Sequence, residues 1–477
     1  MQPRRPAAID RRSFLASVSA AIAAPALAGR AAPRDDGPAP RIALIGCGGR
    51  GAENLGELLG AGAAVVALCD VDRSALAAAT ARIASAGGPS PATRGFADLR
   101  ELLARRDEFA LDGVLVSTPD HVHAFATALA LRARLPVYCE KPLTRTMEES
   151  RRLLELSDAA RVPTQMGTQI HATENYRRVV ELIRAGAIGT VTSCDCWVNK
   201  GWCCGTTGPV VAPPDGLDYG LWLGPAQATP YVEGLHPANW RRYWAFGSGT
   251  LGDMGCHMLD LPVWALGLDR ATLGEVEVRA DCPAVDAVGC PEWTEATWAI
   301  ARTGPEPSVH GGIADPLVLR WFDGGRISPT AQELGAKDRF DYHGRFNVVF
   351  QGTKGFLWAN YGEHLLTPGV LEEEPRPAVA RIAPSPGHHR EWLDAIRRWK
   401  LGETGAHDAP PCAFRRATVL NELVLSGTVA ARAGRPLRYD FRTQRFAGGD
   451  PIPTWHPEPR DGWSLSDADL DHARRVG

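Results

Sequence analysis

Cysteine is sparse in this chain, with 11 in 477 residues, which excludes a disulfide-built scaffold. No run of 18 apolar residues occurs, so neither a membrane-spanning helix nor a stable membrane anchor is expected. A basic excess is missing too. Lys and Arg number 52 against 55 Asp and Glu, a formal charge of −3, and no nucleic-acid partner is expected. Internal repeats and low-complexity tracts are absent, which excludes repeat and fibrous architectures. What is present is apolar material: 44% of residues are hydrophobic and 22% charged. At about 150 residues per domain, that supplies large cores for two or three domains. The 50 Gly and 37 Pro fit a loop-rich globular protein rather than a disordered chain.

The first forty residues differ from the rest. Arg11 and Arg12 precede Ser13-Phe14-Leu15 and a mildly apolar stretch that ends in Ala26-Leu27-Ala28. Charged start, apolar middle and A-x-A ending describe a secretory signal, and the paired arginines look like a twin-arginine signal. We expect residues 1–28 to be this address, residues 29–40 a flexible linker, and the mature protein to be periplasmic or extracellular. Residues 1–28 hold four Arg and one Asp, so their removal leaves 48 basic and 54 acidic residues, a formal −6. A protein exported already folded takes its cofactor with it, loaded beforehand.

Residues 41–165 read as a dinucleotide-binding domain. An apolar run from Arg41 enters Gly46-x-Gly48-Gly49-Arg50-Gly51, a helical pattern follows, and a second apolar run ends at Asp70. Strand, glycine fingerprint, helix and an acidic strand end make the full Rossmann context. Gly46 permits the tight turn, Gly48 lets the backbone approach a pyrophosphate, and Gly51 lets helix pack on strand. Asp70 accepts from a ribose 2′-hydroxyl and repels a 2′-phosphate, so NAD is the expected cofactor. Strands then alternate with helices through 111–119, 121–135, 136–142, 147–160 and 162–169, which implies a parallel, doubly wound α/β sheet. Its strand ends place Ser117, Thr118, Pro119, Glu140, Lys141 and Gln169 in one crevice with Asp70.

Four features occur in order: the fingerprint, Thr118-Pro-Asp-His-Val-His123, Glu140-Lys141-Pro142, and Gly252-Asp253-Met-Gly-Cys-His257. Together they resemble the Gfo/Idh/MocA oxidoreductases, relatives of glucose-fructose oxidoreductase and inositol dehydrogenase, and in particular their secreted branch. The resemblance covers about residues 41–440. It implies that Lys141 is the catalytic lysine, that Asp253 and His257 are the second domain's aspartate and histidine, and that His123 borders the nicotinamide. Spacing adds an independent reason, since Asp253 and His257 stand four apart and share one helical face. His257 is a natural base for a hydroxyl proton. Lys141 would share that proton or stabilise the developing oxyanion, and Asp253 would orient His257 or bind a sugar hydroxyl.

From Thr190 the pattern becomes strands at 190–198, 275–282, 297–303, 317–322 and 347–350 without intervening helices, several of them alternating polar with apolar. Residues 166–385 therefore read as an α+β domain with a large open, mainly antiparallel sheet. That sheet would carry the substrate pocket and an interface for a dimer or tetramer. Residues 386–477 read as helices and a tail packing back on both domains. The stretch 197–244 holds eight Trp and Tyr residues, suited equally to stacking sugars and to core packing. Tyr176, Trp202 and His236 are the candidate substrate contacts besides Asp253 and His257, and His171 is a further candidate polar group. Cys194, Cys196, Cys203 and Cys204 lack zinc-site spacing. No metal is expected, and the choice between disulfide and free thiols stays open.

Three functions fit. One is an NAD-dependent oxidoreductase acting on a hydroxyl of a sugar, sugar derivative or cyclitol, with a tightly bound, recycled cofactor. The second is a redox-neutral NAD-dependent glycosidase that oxidises C3 transiently, eliminates the aglycone, adds water and reduces the ketone again. The third is a sensing protein that retains NAD, against which the intact Lys141, Asp253 and His257 argue. The lack of a basic excess fits a neutral sugar.

Overall fold

The computed structural model describes residues 37–87, 93–203, 208–285, 287–301, 309–449 and 458–476. The expected signal, residues 29–36 of the linker and Cys204 lie outside the described residues. From Ala39 onward the chain is one compact unit built on two sheets.

The first sheet is six-stranded and parallel, in the order β3-β2-β1-β4-β5-β6. Its strands are β1 (Arg41–Ile45), β2 (Ala64–Cys69), β3 (Arg94–Phe96), β4 (Gly113–Val116), β5 (Val137–Cys139) and β6 (Thr164–Met166). The central strands are buried on both faces, as helices on both sides demand. Ile42, Leu44 and Val65 on one face pack against Leu55 and Leu58 of the helix Arg50–Gly60. Trp392, Leu393 and Ile396 of the late helix His388–Lys400 join the same core, so this part of the tail does return to the first sheet. The last expected strand is shorter than 162–169. It stops at Met166 because Gln169 opens a 3-10 turn, Gln169–Ala172, after Gly167 passes tight against the Glu140 carboxylate.

The second sheet has nine strands in the order β13-β12-β11-β7-β10-β9-β8-β14-β15. They are β7 (Val191–Trp197), β8 (Glu275–Asp281), β9 (Glu295–Ile300), β10 (Ile313–Phe322), β11 (Val348–Gly352), β12 (Phe356–Ala359), β13 (His364–Thr367), β14 (Leu437–Asp440) and β15 (Arg445–Phe446). Every pair is antiparallel except β7 with β10. The expected absence of helices between these strands does not hold. The helices Tyr219–Leu223, Gly249–Met258, Asp260–Ala265 and Arg270–Leu273 all fall between β7 and β8. Glycine at 249, 252 and 255 gives the second of these a low helix propensity, and packing against the helix Phe414–Ala433 supplies what propensity lacks. The tail also contributes strands, since β14 pairs with β8 along four residues. Among the described residues no helix is long and apolar enough to cross a membrane.

Candidate active site

The carboxyl ends of the parallel strands form a glycine-lined cradle. Gly46 has φ +88°, and a Cβ there would lie 2.6 Å from the Ser117 carbonyl carbon. A Cβ on Gly51 would lie 2.0 Å from the Gly46 oxygen. Gly48 and Gly49 are different, since a Cβ on Gly48 meets only Ala75 at 3.6 Å and one on Gly49 meets nothing. The fold demands glycine at 46 and 51, whereas at 48 it leaves room for something else to approach. No side chain caps the helix Arg50–Gly60, so its positive end faces this open space.

Asp70 closes the β2 end. Its carboxylate accepts the Cys47 amide at 2.6 Å and the Asp72 amide at 2.8 Å, and burial raises its pKa above the usual carboxylate value. Glu140 accepts from Arg50 Nε and Asn54 Nδ2, each at 3.0 Å. Burial alone would raise its pKa, but the Arg50 charge and the Asn54 hydrogen bond hold it below the ordinary value. Ser117 accepts from Asn54 at 2.8 Å, and Pro119 leads into the helix Asp120–Arg132. Around these braces Arg50 Nη2, Thr118 Oγ1, Thr168 Oγ1 and Gln169 Oε1 are buried without partners. Orphaned polar atoms at adjacent strand ends, beside an uncapped helix and a space reserved by glycine, fit a dinucleotide.

Both histidines of the 120–132 helix serve as braces. His123 contacts the Pro142 carbonyl at 2.7 Å and the Thr118 carbonyl at 2.8 Å, tying two strand-end loops together. Burial opposes its charge, yet Cys139, Asp120 and the carbonyl acceptors hold its pKa up at about 10. It steadies the expected nicotinamide region with neither ring nitrogen left for a ligand. His121 is likewise held by the carbonyls of Trp222 and Phe246.

Lys141, at the end of β5, reaches across to the 249–258 helix. Its Nζ donates to the Asp253 carbonyl and to Asp253 Oδ1, both at 2.8 Å. Asp253 therefore binds the lysine and, among the described residues, makes no hydrogen bond to His257. Its other oxygen accepts from Lys200 Nζ at 2.7 Å and Trp202 Nε1 at 2.6 Å, and Arg241 Nε stands 3.4 Å from Oδ1. Burial opposes the charge of Asp253, but these cations hold its pKa well below the usual range. His257 lies one turn on, buried, with Nδ1 unpartnered. Burial, then the Lys141 charge, push its pKa well below 6.5, so it is neutral in the free protein.

Of the expected substrate contacts, Trp202 joins Asp253, and two others lie elsewhere. Tyr176 is fully buried behind the 249–258 helix, its hydroxyl donating to the His257 carbonyl at 3.3 Å. Its own helix, Glu174–Arg184, turns Tyr176, Val179, Val180 and Ile183 inward. His236 contacts Asp72 Oδ2 at 3.1 Å, at the Asp70 end of the cradle. His171 pairs with Asp260 at 2.9 Å and stacks on Trp264. Most of the aromatic stretch is core, with Trp197, Trp222, Tyr231, Trp240 and Trp244 all buried. The described cysteines are free thiols, Cys194 and Cys196 among them. Sequence reasoning missed Lys200, Arg241 and Asp120, and also Tyr361, whose ring centre lies 6.2 Å from that of His257. A cation beside a tryptophan, twice in one irregular segment, was the available signal for the first two.

Comparison with known proteins matches residues 40–168 to the family model described as an oxidoreductase family, NAD-binding Rossmann fold, and residues 185–303 to that family's C-terminal alpha/beta domain. An inositol 2-dehydrogenase of Leifsonia xyli is 35% identical over 155 residues, 32% of this chain and 42% of that protein. The chain thus spans about two fifths of the length of such relatives. A glycosyl hydrolase family 109 protein of Saccharopolyspora erythraea is 32% identical over 434 residues, 85% of this chain and 84% of that protein. In three dimensions the chain resembles the WlbA dehydrogenase of Bordetella pertussis, solved with NADH and UDP-GlcNAcA. The TM-score is 0.54 at 18% identity, over 83% of this chain and 98% of that one.

Proposed function

The chain belongs to the Gfo/Idh/MocA oxidoreductase family, and from that premise we propose that, with bound NAD, it oxidises a hydroxyl of a sugar, sugar derivative or cyclitol, or reduces the corresponding ketone. The observation that carries this reading is the contact of Lys141, at a Rossmann strand end, with Asp253, one helical turn from a neutral and unpartnered His257. Gly46, Gly48, Gly49, Gly51 and Asp70 would hold the dinucleotide, with Arg50, Thr118 and Gln169 supplying polar contacts. Bound there, NAD supplies the acceptor for the hydride that leaves the alcohol carbon. His257 takes the hydroxyl proton. Lys141, held by Asp253, donates a hydrogen bond to the same oxygen as negative charge develops on it. The ketone product leaves, or is reduced by the same groups in reverse.

A second reading is the redox-neutral glycosidase. The glycosyl hydrolase relative supports it, because that match extends over both sheets rather than over the dinucleotide-binding part alone. Transient oxidation, elimination, hydration and re-reduction would use the same Lys141 and His257. Export by the twin-arginine route belongs to the proposal through Arg11-Arg12-Ser13-Phe14-Leu15, as does assembly into a dimer or tetramer through the large sheet. A periplasmic enzyme meets no pool of free NAD, which favours a retained cofactor under either reading.

Incubating the purified protein with glycosides in deuterated water, without added NAD, separates the two. Net keto sugar supports the dehydrogenase, and released aglycone with deuterium at C2 supports the glycosidase. Lys141→Ala should abolish either activity, and full activity in that variant would overturn the assigned role.

A further inference from the structure

Asp253 carries one negative charge and is met by three positive ones. Lys141 and Lys200 are hydrogen-bonded to it, and Arg241 stands at 3.4 Å. A fourth cation, Arg242, lies 5.9 Å from the centre of the Trp202 ring, with no carboxylate partner among the described residues. Lys200 and Arg241 lie 4.8 and 5.6 Å from the same ring centre. Four cations thus face two buried carboxylates, Asp253 and Asp120, near the expected reaction centre, a surplus of two positive charges to which oxidised nicotinamide would add another. Hydride transfer from a neutral alcohol accounts for Lys141 and leaves the other three unexplained.

Their exposure indicates which way the surplus faces. Asp253 is buried, whereas the side chains of Lys200 and Arg241 are 39% and 25% exposed. The excess positive charge thus lies on the solvent-facing side of Asp253, next to an indole ring anchored through its Nε1 to Asp253. A forked guanidinium beside an ammonium suits a carboxylate or sulfate.

Resting on the oxidoreductase reading above, we propose that the substrate is an anionic sugar, its acidic group bound by Lys200, Arg241 and Arg242 around Trp202. The neutral sugar expected from the overall charge balance gives way here to the local balance. The whole molecule is weakly acidic and its pocket is basic. The three cations also make the pocket a sink for charge at the point where an oxyanion forms. With a neutral sugar Asp253 is the one carboxylate in contact with them, and an acidic sugar adds a second negative charge.

Calorimetric titration of the NAD-loaded protein with D-glucuronate, glucose 6-sulfate, D-glucose and myo-inositol tests this. One or both acidic ligands should bind on the order of ten- to a hundredfold more tightly than the neutral pair, and more weakly as salt is raised. Preference for glucuronate over glucose 6-sulfate assigns a carboxylate, and the converse assigns a sulfate ester. Arg241→Met and Lys200→Met should each weaken the acidic ligands more than the neutral ones and so shrink the preference. Equal binding of all four ligands, or a loss in the variants that is the same for acidic and neutral sugars, would overturn the proposal. Repeating the titration with Lys141→Met keeps the two readings apart. Acidic preference without turnover in the wild-type protein would fault the reaction, and turnover without acidic preference would fault the pocket.

Discussion

Asp120 opens the helix beside the site, nearly devoid of solvent, with the Ser248 hydroxyl donating to it at 3.2 Å. Burial raises its pKa from 3.8 to about 6, against the pull of His123 and Arg241. A raised carboxyl pKa means that the folded protein holds a proton the unfolded chain has lost. Stability therefore falls as pH rises from about 4 to 6 and levels off above, by about 3 kcal/mol for that shift. Asp120→Asn keeps a hydrogen-bonding group and removes the charge. Relative to wild type, its urea-unfolding free energy should improve between pH 4 and 7 by that amount, and a pH-independent difference would refute the assignment. Kinetics offer a second readout. His257 is held neutral well below pH 6.5 by burial and by Lys141, so kcat/KM should carry no limb from it near 6.5. Any limb near pH 6 belongs to Asp120 and should vanish in Asp120→Asn. A limb at 6.5 that survives the substitution would return that titration to His257.

The 249–258 helix holds Asp253 and His257 in place by crossing close over the 414–433 helix. Two glycines allow the approach. A Cβ on Gly255 would lie 3.0 Å from Val424, and one on Gly427 would lie 2.7 Å from the Trp298 ring and 2.9 Å from Leu251. Gly427→Ala should improve helix propensity yet cost about 1–3 kcal/mol through overpacking. It should lower the urea midpoint and reduce activity together, because Leu251 is on the helix that carries the site. An unchanged midpoint would show that the crossing is loose. This contact was not legible in the sequence, because both glycines owe their identity to a partner some 170 residues away. What was legible is local. Gly46, Gly48, Gly51 and Asp70 sit within one βαβ unit, at spacings that backbone geometry dictates. Asp253 and His257 were legible through the family resemblance, and their four-residue interval puts both on one helical face. Tyr176 misled because a tyrosine on an amphipathic helix looks alike whether its hydroxyl faces a pocket or a backbone carbonyl. Lys200 and Arg241 lie 41 residues apart, one in a loop and the other in the short 3-10 turn Asn239–Arg242, where no period brings them together. β13 and β14, at four residues each, are too short to show alternation.

At the scale of the whole molecule, residues 209–247 lie across the far end of the cradle. The Arg73 amide donates to the Gly216 carbonyl at 3.1 Å, the Asp218 amide to the Val71 carbonyl at 2.9 Å, and His236 meets Asp72 at 3.1 Å. Trp222 and Phe246 continue the cover, packing on His121 at the opposite end of the sheet's switch point. A dinucleotide lying on Gly48 and Asp70 would thus be enclosed by a segment that must open before it leaves. We expect its release to require these fastenings to part. NAD should accordingly survive purification and dialysis and appear in the supernatant only on denaturation, detectable by its absorbance at 260 nm. Stripping it should lower Tm, because a ligand held at a thousandfold excess over its Kd contributes about 4 kcal/mol to the folded state. His236→Ala removes one fastening without touching the glycine loop. It should leave the stripped protein's Tm nearly unchanged while shortening the residence time of bound NAD. Rapid exchange of labelled NAD into the wild-type protein would mean that the segment is no barrier, and the retained cofactor would then need another cause.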